Sequence, residues 1–300
     1  MRKTFVENVM LAAANDPKLV VLIGDISHYL FKDFEKQFPD QFYNVGICEQ
    51  SIVGMAAGMA MQGYRPIVHT IAPFCVNRAF EQIKIDVCYQ ELDVTFVTVG
   101  GSFDYAHLGC THHCYEDISL MMTLPGMTVF NPGNRREFTT LFQESWASGY
   151  PKYFKINKDE HSETYQLKPG DIKVINKNNI DKSVIFVNGP ILDRVPKDSN
   201  TIVYTPSVSY LTESSIETIK KLVSNNRSRK IITVEENLTI GSFGNKILSI
   251  FEGTNIPLIH KKLGIPRKFL TNYGSAKDHR ASLKLDKKSI RVSIDEFDKL

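Results

Sequence analysis

No apolar stretch in the sequence approaches the roughly 20 residues that span a bilayer, so no membrane partner is expected. An excess of charge is also missing. The 36 Lys and Arg and the 33 Asp and Glu are interspersed and leave a formal charge of only +3, which argues against a surface built for nucleic acid or anionic lipid. The opening residues, Met1-Arg-Lys-Thr-Phe-Val-Glu-Asn8, lack the apolar core of a signal peptide, and a cytoplasmic location is expected. The 5 cysteines, Cys48, Cys75, Cys88, Cys110 and Cys114, are odd in number and confined to the first half, which does not suit a disulfide framework. Cys110-Thr-His-His-Cys114 carries four N or S ligands, but so closely spaced that four side chains cannot easily surround one tetrahedral zinc. No second Cys or His pair stands at finger spacing, so no metal site is expected in this chain. Internal repeats and low-complexity blocks are absent too.

What is present is the composition of an ordinary globular protein, 42% apolar and 23% charged over 300 residues, enough for about two domains. Short apolar runs alternate with helical patterns. Residues 4–16 read as an amphipathic helix. Residues 18–24, Lys-Leu-Val-Val-Leu-Ile-Gly, read as a buried strand that delivers Asp25 to its carboxyl tip, where ligands of open α/β sheets bind. A helix over 31–38, a strand over 41–48 and a helix from Glu49 follow. Then come strands at 67–71, 94–99, 127–130 and 153–156, with helices at 72–88, 115–124 and 135–148 between them. Residues 161–182 are poor in apolar side chains, contain Pro169-Gly170 and read as a linker. A second alternation runs from 183: strands at 183–187, 201–204, 230–234 and 257–260, helices at 213–222 and 241–250, and a charged helix and tail over 278–300. This pattern predicts an α/β chain of two three-layer α/β/α domains with mainly parallel sheets, residues 1–160 and 183–300.

The most informative stretch is Asn44-Val-Gly-Ile-Cys-Glu-Gln50, continuing Ser-Ile-Val-Gly-Met-Ala-Ala-Gly-Met-Ala-Met-Gln-Gly63. Glu49 stands between an apolar run and an apolar, small-residue helix on which Ile52, Met55, Ala56, Met59 and Ala60 recur at helical spacing. A carboxyl there is expected to be poorly hydrated, which disfavours its charged form and suits it to share a proton with a ring nitrogen. The plainer alternative is an exposed Glu complementing the positive end of the helix. Gly54 and Gly58, one turn apart, would let another backbone come close.

N-x-G-I-x-E-Q-x-x-x-G-x-A-x-G-x-A-x-x-G resembles the cofactor-activating segment of thiamine diphosphate enzymes of the transketolase family. The resemblance implies that Glu49 contacts N1′ of the aminopyrimidine, with Ile47 and Asp25 beside the cofactor. Phe74-Cys-Val-Asn-Arg-Ala-Phe-Glu-Gln82 is similar to the family segment whose aromatic packs on the pyrimidine, here Phe74, with one residue more between Phe and Arg than in some relatives. Gly109-Cys-Thr-His-His-Cys-Tyr-Glu-Asp117 resembles the G-x-T-H segment whose His faces the substrate, here His112. His113, His107 and Tyr105 share that loop, and Arg2 and Lys158 stand where relatives place groups that reach a sugar phosphate. Lys155 and Lys158 offer point charges in place of an Arg fork. Leu108 departs from the pattern: many relatives have an Asp there, used on a substrate hydroxyl.

The family's G-D-G…N segment, which holds Mg2+ and the diphosphate, has no counterpart; Gly24-Asp25-Ile26 is not that motif. The resemblance thus covers only the latter half of a full transketolase. It implies a split enzyme: an N-terminal subunit with G-D-G…N supplies the Mg2+ and diphosphate site, and this chain self-associates within an α2β2 assembly acting on sugar substrates. The β subunit of a 2-oxoacid dehydrogenase shares the Glu and the two-domain plan and is the alternative enzyme reading. A non-catalytic scaffold would need neither Glu49 nor His112.

Overall fold

The structure, a computed structural model, describes residues 1–176 and 179–300; residues 177 and 178, in the stretch read as linker, lie outside the described residues. Two sheets organise the chain. The first has six parallel strands in the order β2-β1-β3-β4-β6-β5: β1 (Leu19–Ile23), β2 (Phe42–Asn44), β3 (Arg65–Ile71), β4 (Thr95–Val99), β5 (Thr128–Phe130) and β6 (Lys152–Ile156). Every residue of β1, β4 and β6 is buried, as expected for a parallel sheet covered on both faces. Helices α1 (Arg2–Ala13), α2 (His28–Gln37) and α7 (Arg135–Ser145) cover one face, where Phe5, Phe31, Phe34, Phe138 and Phe142 form an aromatic core. Asn134 caps α7 by accepting from the N–H groups of Arg136 and Glu137, a device that contributes about 1 kcal/mol.

The other face carries α3 (Glu49–Met61), α4 (Ala72–Val76), α5 (Phe80–Gln82) and α6 (Asp117–Met122). The single helix expected over 72–88 is broken. After α4 and a turn at 77–79, α5 runs into π-helical turns over Ile83–Cys88. On α3 the buried side chains are Ile52, Val53, Ala56 and Ala57, while Met55 is exposed, so the apolar stripe is rotated from the one expected. The expected strand 41–48 is paired only at 42–44; beyond it Gly46 takes φ 82° and the chain turns into α3.

The second sheet has the order β11-β10-β8-β9-β7: β7 (Lys173–Ile175), β8 (Val184–Asn188), β9 (Ile202–Thr205), β10 (Lys230–Leu238) and β11 (Ile259–Ile265). It is parallel except for β7, which pairs antiparallel with β9 at the edge. Part of the stretch read as linker is therefore a strand of this sheet. Helices α8 (Glu213–Asn225), α9 (Phe243–Ser249), α10 (Ala276–Ser282) and α11 (Lys287–Lys299) complete the unit.

The two units share one core: Val184, Phe186, Ile219 and Phe243 belong to the same buried cluster as Ile52, Val68 and Ile118. Backbone bonds also cross, Asn131 N to Pro206 O at 2.8 Å and Leu238 N to Tyr115 O at 2.8 Å. Buried Lys155 on β6 donates to Asp117 at 2.9 Å and to Asn237 of the second unit at 2.6 Å. Glu236 joins Arg194 and Arg280 at the same junction. Burial alone would push its carboxyl up, but the two guanidinium groups hold it down at about 2.

Candidate active site

The order β2-β1-β3 places the switch point of the first sheet between β1 and β3, where ligands of such sheets bind beyond the carboxyl ends. The segments leaving β1, β2, β3, β4 and β6 converge there. Asp25, just past β1, adopts φ 54°, and its carboxylate accepts from Asn44 Nδ2 at 3.0 Å while its N–H donates to Asn44 Oδ1 at 3.2 Å. Beneath that turn lies His69 on β3. Its Nδ1–H donates to Val97 O at 2.7 Å, and its Nε2 accepts from the Ser27 hydroxyl at 3.1 Å. Burial pushes this imidazole down to about 4, so it stays neutral and pins the turn. Nothing in the sequence pattern singled it out.

Glu49 is the first residue of α3 and only 2% exposed. It is held beside β3 because Gly24 leaves room: a Cβ there would come within 2.9 Å of Thr70 Oγ1 and 3.4 Å of Ile52 Cδ1. Thr70 donates weakly to Glu49 Oε1 at 3.5 Å, and Arg78 donates to Oε2 at 2.7 Å. The guanidinium of Arg78 also lies 4.4 Å from the centroid of the half-buried Phe74 ring. A carboxylate and an aromatic face thus hold one planar, nitrogen-bearing cation between them. Arg78 was visible in the sequence motif without a role; its spacing of four residues from Phe74 was the available signal.

From Phe74 the array continues. The His112 ring stands edge-on to it at 5.2 Å, and Tyr105 follows at 6.1 Å from His112. Two cations flank Tyr105: Arg2, whose guanidinium bonds the Tyr105 hydroxyl, and Lys158, whose Nζ is 4.6 Å from the ring centroid. Lys158 also donates from its backbone N–H to the Asp104 carboxylate and from Nζ to Asp104 O at 2.6 Å. Burial pushes Asp104 up to about 6, against the pull of Lys158.

The hydroxyl of Thr111 donates to Leu108 O at 3.3 Å and lies 2.9 Å from His112 Nδ1. Nδ1 is then the donor of that pair, and Nε2 keeps its lone pair. Burial, followed by the charge of His107, holds His112 below the usual histidine range. His107 and Leu108 are exposed on the same turn, and Ile47 is 71% exposed on the loop before Glu49.

Two sequence expectations are corrected. His113 does not join the substrate groups. Its ring turns into a buried cluster with Phe103, Tyr115 and His279, where its Nε2 donates to Ala106 O at 3.3 Å. Lys155 is likewise consumed between Asp117 and Asn237. The run Cys110 to Cys114 does not close on itself, Cys110 being exposed and Cys114 buried. Among the described residues no three His, Cys, Asp or Glu side chains are grouped to hold a metal ion, and no helix is long and apolar enough to cross a membrane.

Comparison with known proteins agrees with this geometry. Residues 1–161 match the family "Transketolase, pyrimidine binding domain". One of the two separately encoded chains of the apulose-4-phosphate transketolase of Actinobacillus succinogenes is 30% identical over 95% of this chain and 94% of its own length. The like-named chain from Phocaeicola vulgatus is 27% identical over 99% and 96%. The 1-deoxy-D-xylulose-5-phosphate synthase of Oleidesulfovibrio alaskensis is 28% identical, but this chain spans only 43% of it. In fold, a split-gene transketolase described as an inactive β4 tetramer superposes with a TM-score of 0.82, covering 98% of this chain and 96% of its own at 23% identity. The transketolase of Campylobacter jejuni superposes at 0.76, with 46% of its chain covered. The α/β chain described above therefore belongs to the transketolase family, whose members depend on thiamine diphosphate, and it has the span of a single chain of the apulose-4-phosphate enzymes rather than of the full-length synthases.

Proposed function

We propose that the chain is the C-terminal subunit of a two-component, thiamine diphosphate-dependent transketolase-like enzyme that transfers a two-carbon ketol unit from a ketose to an aldose-type acceptor. The observation that carries this reading is the continuous array Glu49–Arg78–Phe74–His112–Tyr105, ending on Arg2 and Lys158, at the switch point of the first sheet. The donor set suits an aminopyrimidine. A buried carboxylate and an aromatic face already hold a planar N–H group, supplied by Arg78, whose side chain is 41% exposed and free to move aside. Thiamine diphosphate, when bound, supplies the nucleophilic carbon and the electron sink for breaking a carbon–carbon bond beside a carbonyl.

The chain's own residues position and relay protons. Glu49 gives or accepts a proton at the pyrimidine ring nitrogen, steadied by Thr70, while Phe74 offers the stacking face. Ile47 and Asp25 border the same space. His112, neutral and with a free Nε2 lone pair, takes a proton from a substrate hydroxyl and returns it to the carbonyl-derived oxygen. His107 neighbours it. Arg2 and Lys158, presented on Tyr105 beyond His112, suit the phosphate of a phosphorylated sugar, and the relatives named for apulose 4-phosphate support that class. Leu108, 42% exposed, offers the sugar an apolar contact.

Residues 1–160 would be the pyrimidine-binding domain, 161–182 the linker and 183–300 the C-terminal-type domain. A partner chain with the G-D-G…N segment would bring the Mg2+ and diphosphate site. Self-association of this chain within an α2β2 assembly suits α3, where a Cβ on Gly58 would meet nothing within 4 Å and Met55, Met61, Ile85 and Tyr89 are exposed. A cytoplasmic enzyme of carbohydrate metabolism follows from the substrate class. The relatives favour ketol chemistry over 2-oxoacid oxidation.

The test is Glu49→Gln in the assembled two-chain enzyme, with a ketose donor and an aldose phosphate acceptor. Turnover should fall by at least about 10²-fold with assembly intact. Turnover equal to that of the unaltered enzyme removes Glu49 from the mechanism. Activity on 2-oxoacids in place of ketoses overturns the assignment.

A further inference from the structure

We propose that Tyr273, contributed by the second unit, is a positioning residue for His112 that acts through Gly109; the functional half of this proposal rests on the role given to His112 above. His112 follows a short 3-10 turn, Ala106–Thr111, whose backbone reverses at Gly109 with φ 72° and ψ −157°. The Gly109 carbonyl accepts from the N–H groups of both His112 and His113 at 3.0 Å each. The orientation of that one peptide therefore sets where the His112 imidazole begins. A Cβ on Gly109 would stand 2.6 Å from Cε1, 3.1 Å from Cζ and 3.3 Å from Cδ1 of Tyr273. The ring edge bears directly on the glycine backbone, through ring carbons rather than through the hydroxyl.

The segment that carries Tyr273 is anchored on its own side. The Tyr115 hydroxyl donates to Lys268 O at 3.3 Å, Leu270 is buried, and Ser275 and Asp278 form a capping box at the start of α10. Between anchor and loop the surfaces separate around a cavity of about 410 Å³, lined by Cys110, His113, Tyr115, Lys268 and Phe269 among others. Tyr273 spans this gap as a strut: fixed at its base, touching the loop at its tip, and 75% exposed. Such a residue adds little to the hydrophobic core, so its loss should leave global stability nearly unchanged. It narrows the range of loop conformations, and misplacing a catalytic side chain by about 1 Å can cost up to about 10²-fold in rate.

The test compares Tyr273→Ala with Tyr273→Phe in the full chain labelled at histidine Cε1, with His112→Asn assigning the signal. In Tyr273→Ala the His112 signal should broaden or move, and its titration should rise toward the ordinary histidine value as the loop opens to water. In Tyr273→Phe both should match the unaltered chain. In the assembled enzyme Tyr273→Ala should lower kcat about 10-fold with unchanged thiamine diphosphate affinity, and Tyr273→Phe should retain full rate. An unchanged His112 signal in Tyr273→Ala, or a Phe variant as impaired as the Ala variant, overturns the proposal. Because the spectroscopic arm needs neither cofactor nor turnover, a His112 signal that responds as expected in a chain with no ketol transfer would uphold the strut and refute the proposed chemistry.

Discussion

Removing Arg78 should expose how far the Glu49 carboxylate depends on it. Glu49 is 2% exposed, and its strong donor among the described residues is Arg78 at 2.7 Å, the Thr70 hydroxyl lying at the 3.5 Å limit. Breaking a fully buried ion pair by removing one partner costs about 3–5 kcal/mol. The Arg78 side chain is 41% exposed, so water can replace part of what it gives. The expected cost of Arg78→Ala is thus about 2 kcal/mol, including a smaller loss from the cation over Phe74. For a cooperative unit of this size that corresponds to a melting point lower by about 4–8 °C. Arg78→Lys should fall between, because it keeps the charge and loses the planar fork. The decisive comparison is made in a Glu49→Gln background. With the carboxylate replaced by a neutral amide, Arg78→Ala should cost at least about 1 kcal/mol less than in the unaltered chain. Urea denaturation of the four chains, followed by near-UV circular dichroism, measures the difference. Additivity within about 0.5 kcal/mol would mean that the carboxylate does not depend on Arg78, and would refute the reasoning.

Two further predictions concern the rest of the chain. Burial pushes the Glu235 carboxyl up from 4.5 to about 7, although Ser242, Phe243 and Gly244 all donate to it. A folded-state value above the unfolded one means that the folded chain binds the proton more tightly. This contribution to stability is complete below about pH 4.5 and is lost as pH rises through about 7. Glu235→Gln should remove on the order of 3 kcal/mol of pH dependence between about pH 4.5 and 8, read as the difference between the two chains in urea midpoints; parallel profiles would contradict it. Among the cysteines, Cys110 is exposed, Cys48 half-buried, and Cys75, Cys88 and Cys114 are buried with thiols pushed up by burial, the first two to about 12. A thiol reagent should therefore modify Cys110 quickly and Cys48 slowly, and reach the remaining three only after denaturation. Rapid loss of all five thiols from the folded chain would contradict the burial described here.

The alternation of elements was legible because parallel strands covered on both faces leave compact β-branched runs, as in residues 19–23 and 95–99. The burial of Glu49 was also legible, from its position between apolar runs. What escaped the sequence depends on residues far away in the chain. Lys155 and Lys158 look alike as a pair, yet Asp117 and Asn237 bury the first while Asp104 and Tyr105 hold the second at the surface. His112 and His113 are adjacent, but the Gly109 turn sends one ring to Phe74 and the other to His279. The break after α4 and the edge strand β7 carry no period of their own, and each is decided by what it packs or pairs with. The convergence of Phe74, His112, Arg2 and Lys158 was suggested by family resemblance; no spacing in the chain could have indicated it.

The most direct measurement is a crystal structure of the chain assembled with its G-D-G…N partner and thiamine diphosphate. The account predicts the Glu49 carboxylate within about 2.6–3.2 Å of a nitrogen of the aminopyrimidine, with the ring against Phe74 and Arg78 moved off its face. An aminopyrimidine bound away from Glu49, or an assembled complex that binds no thiamine diphosphate, would contradict it.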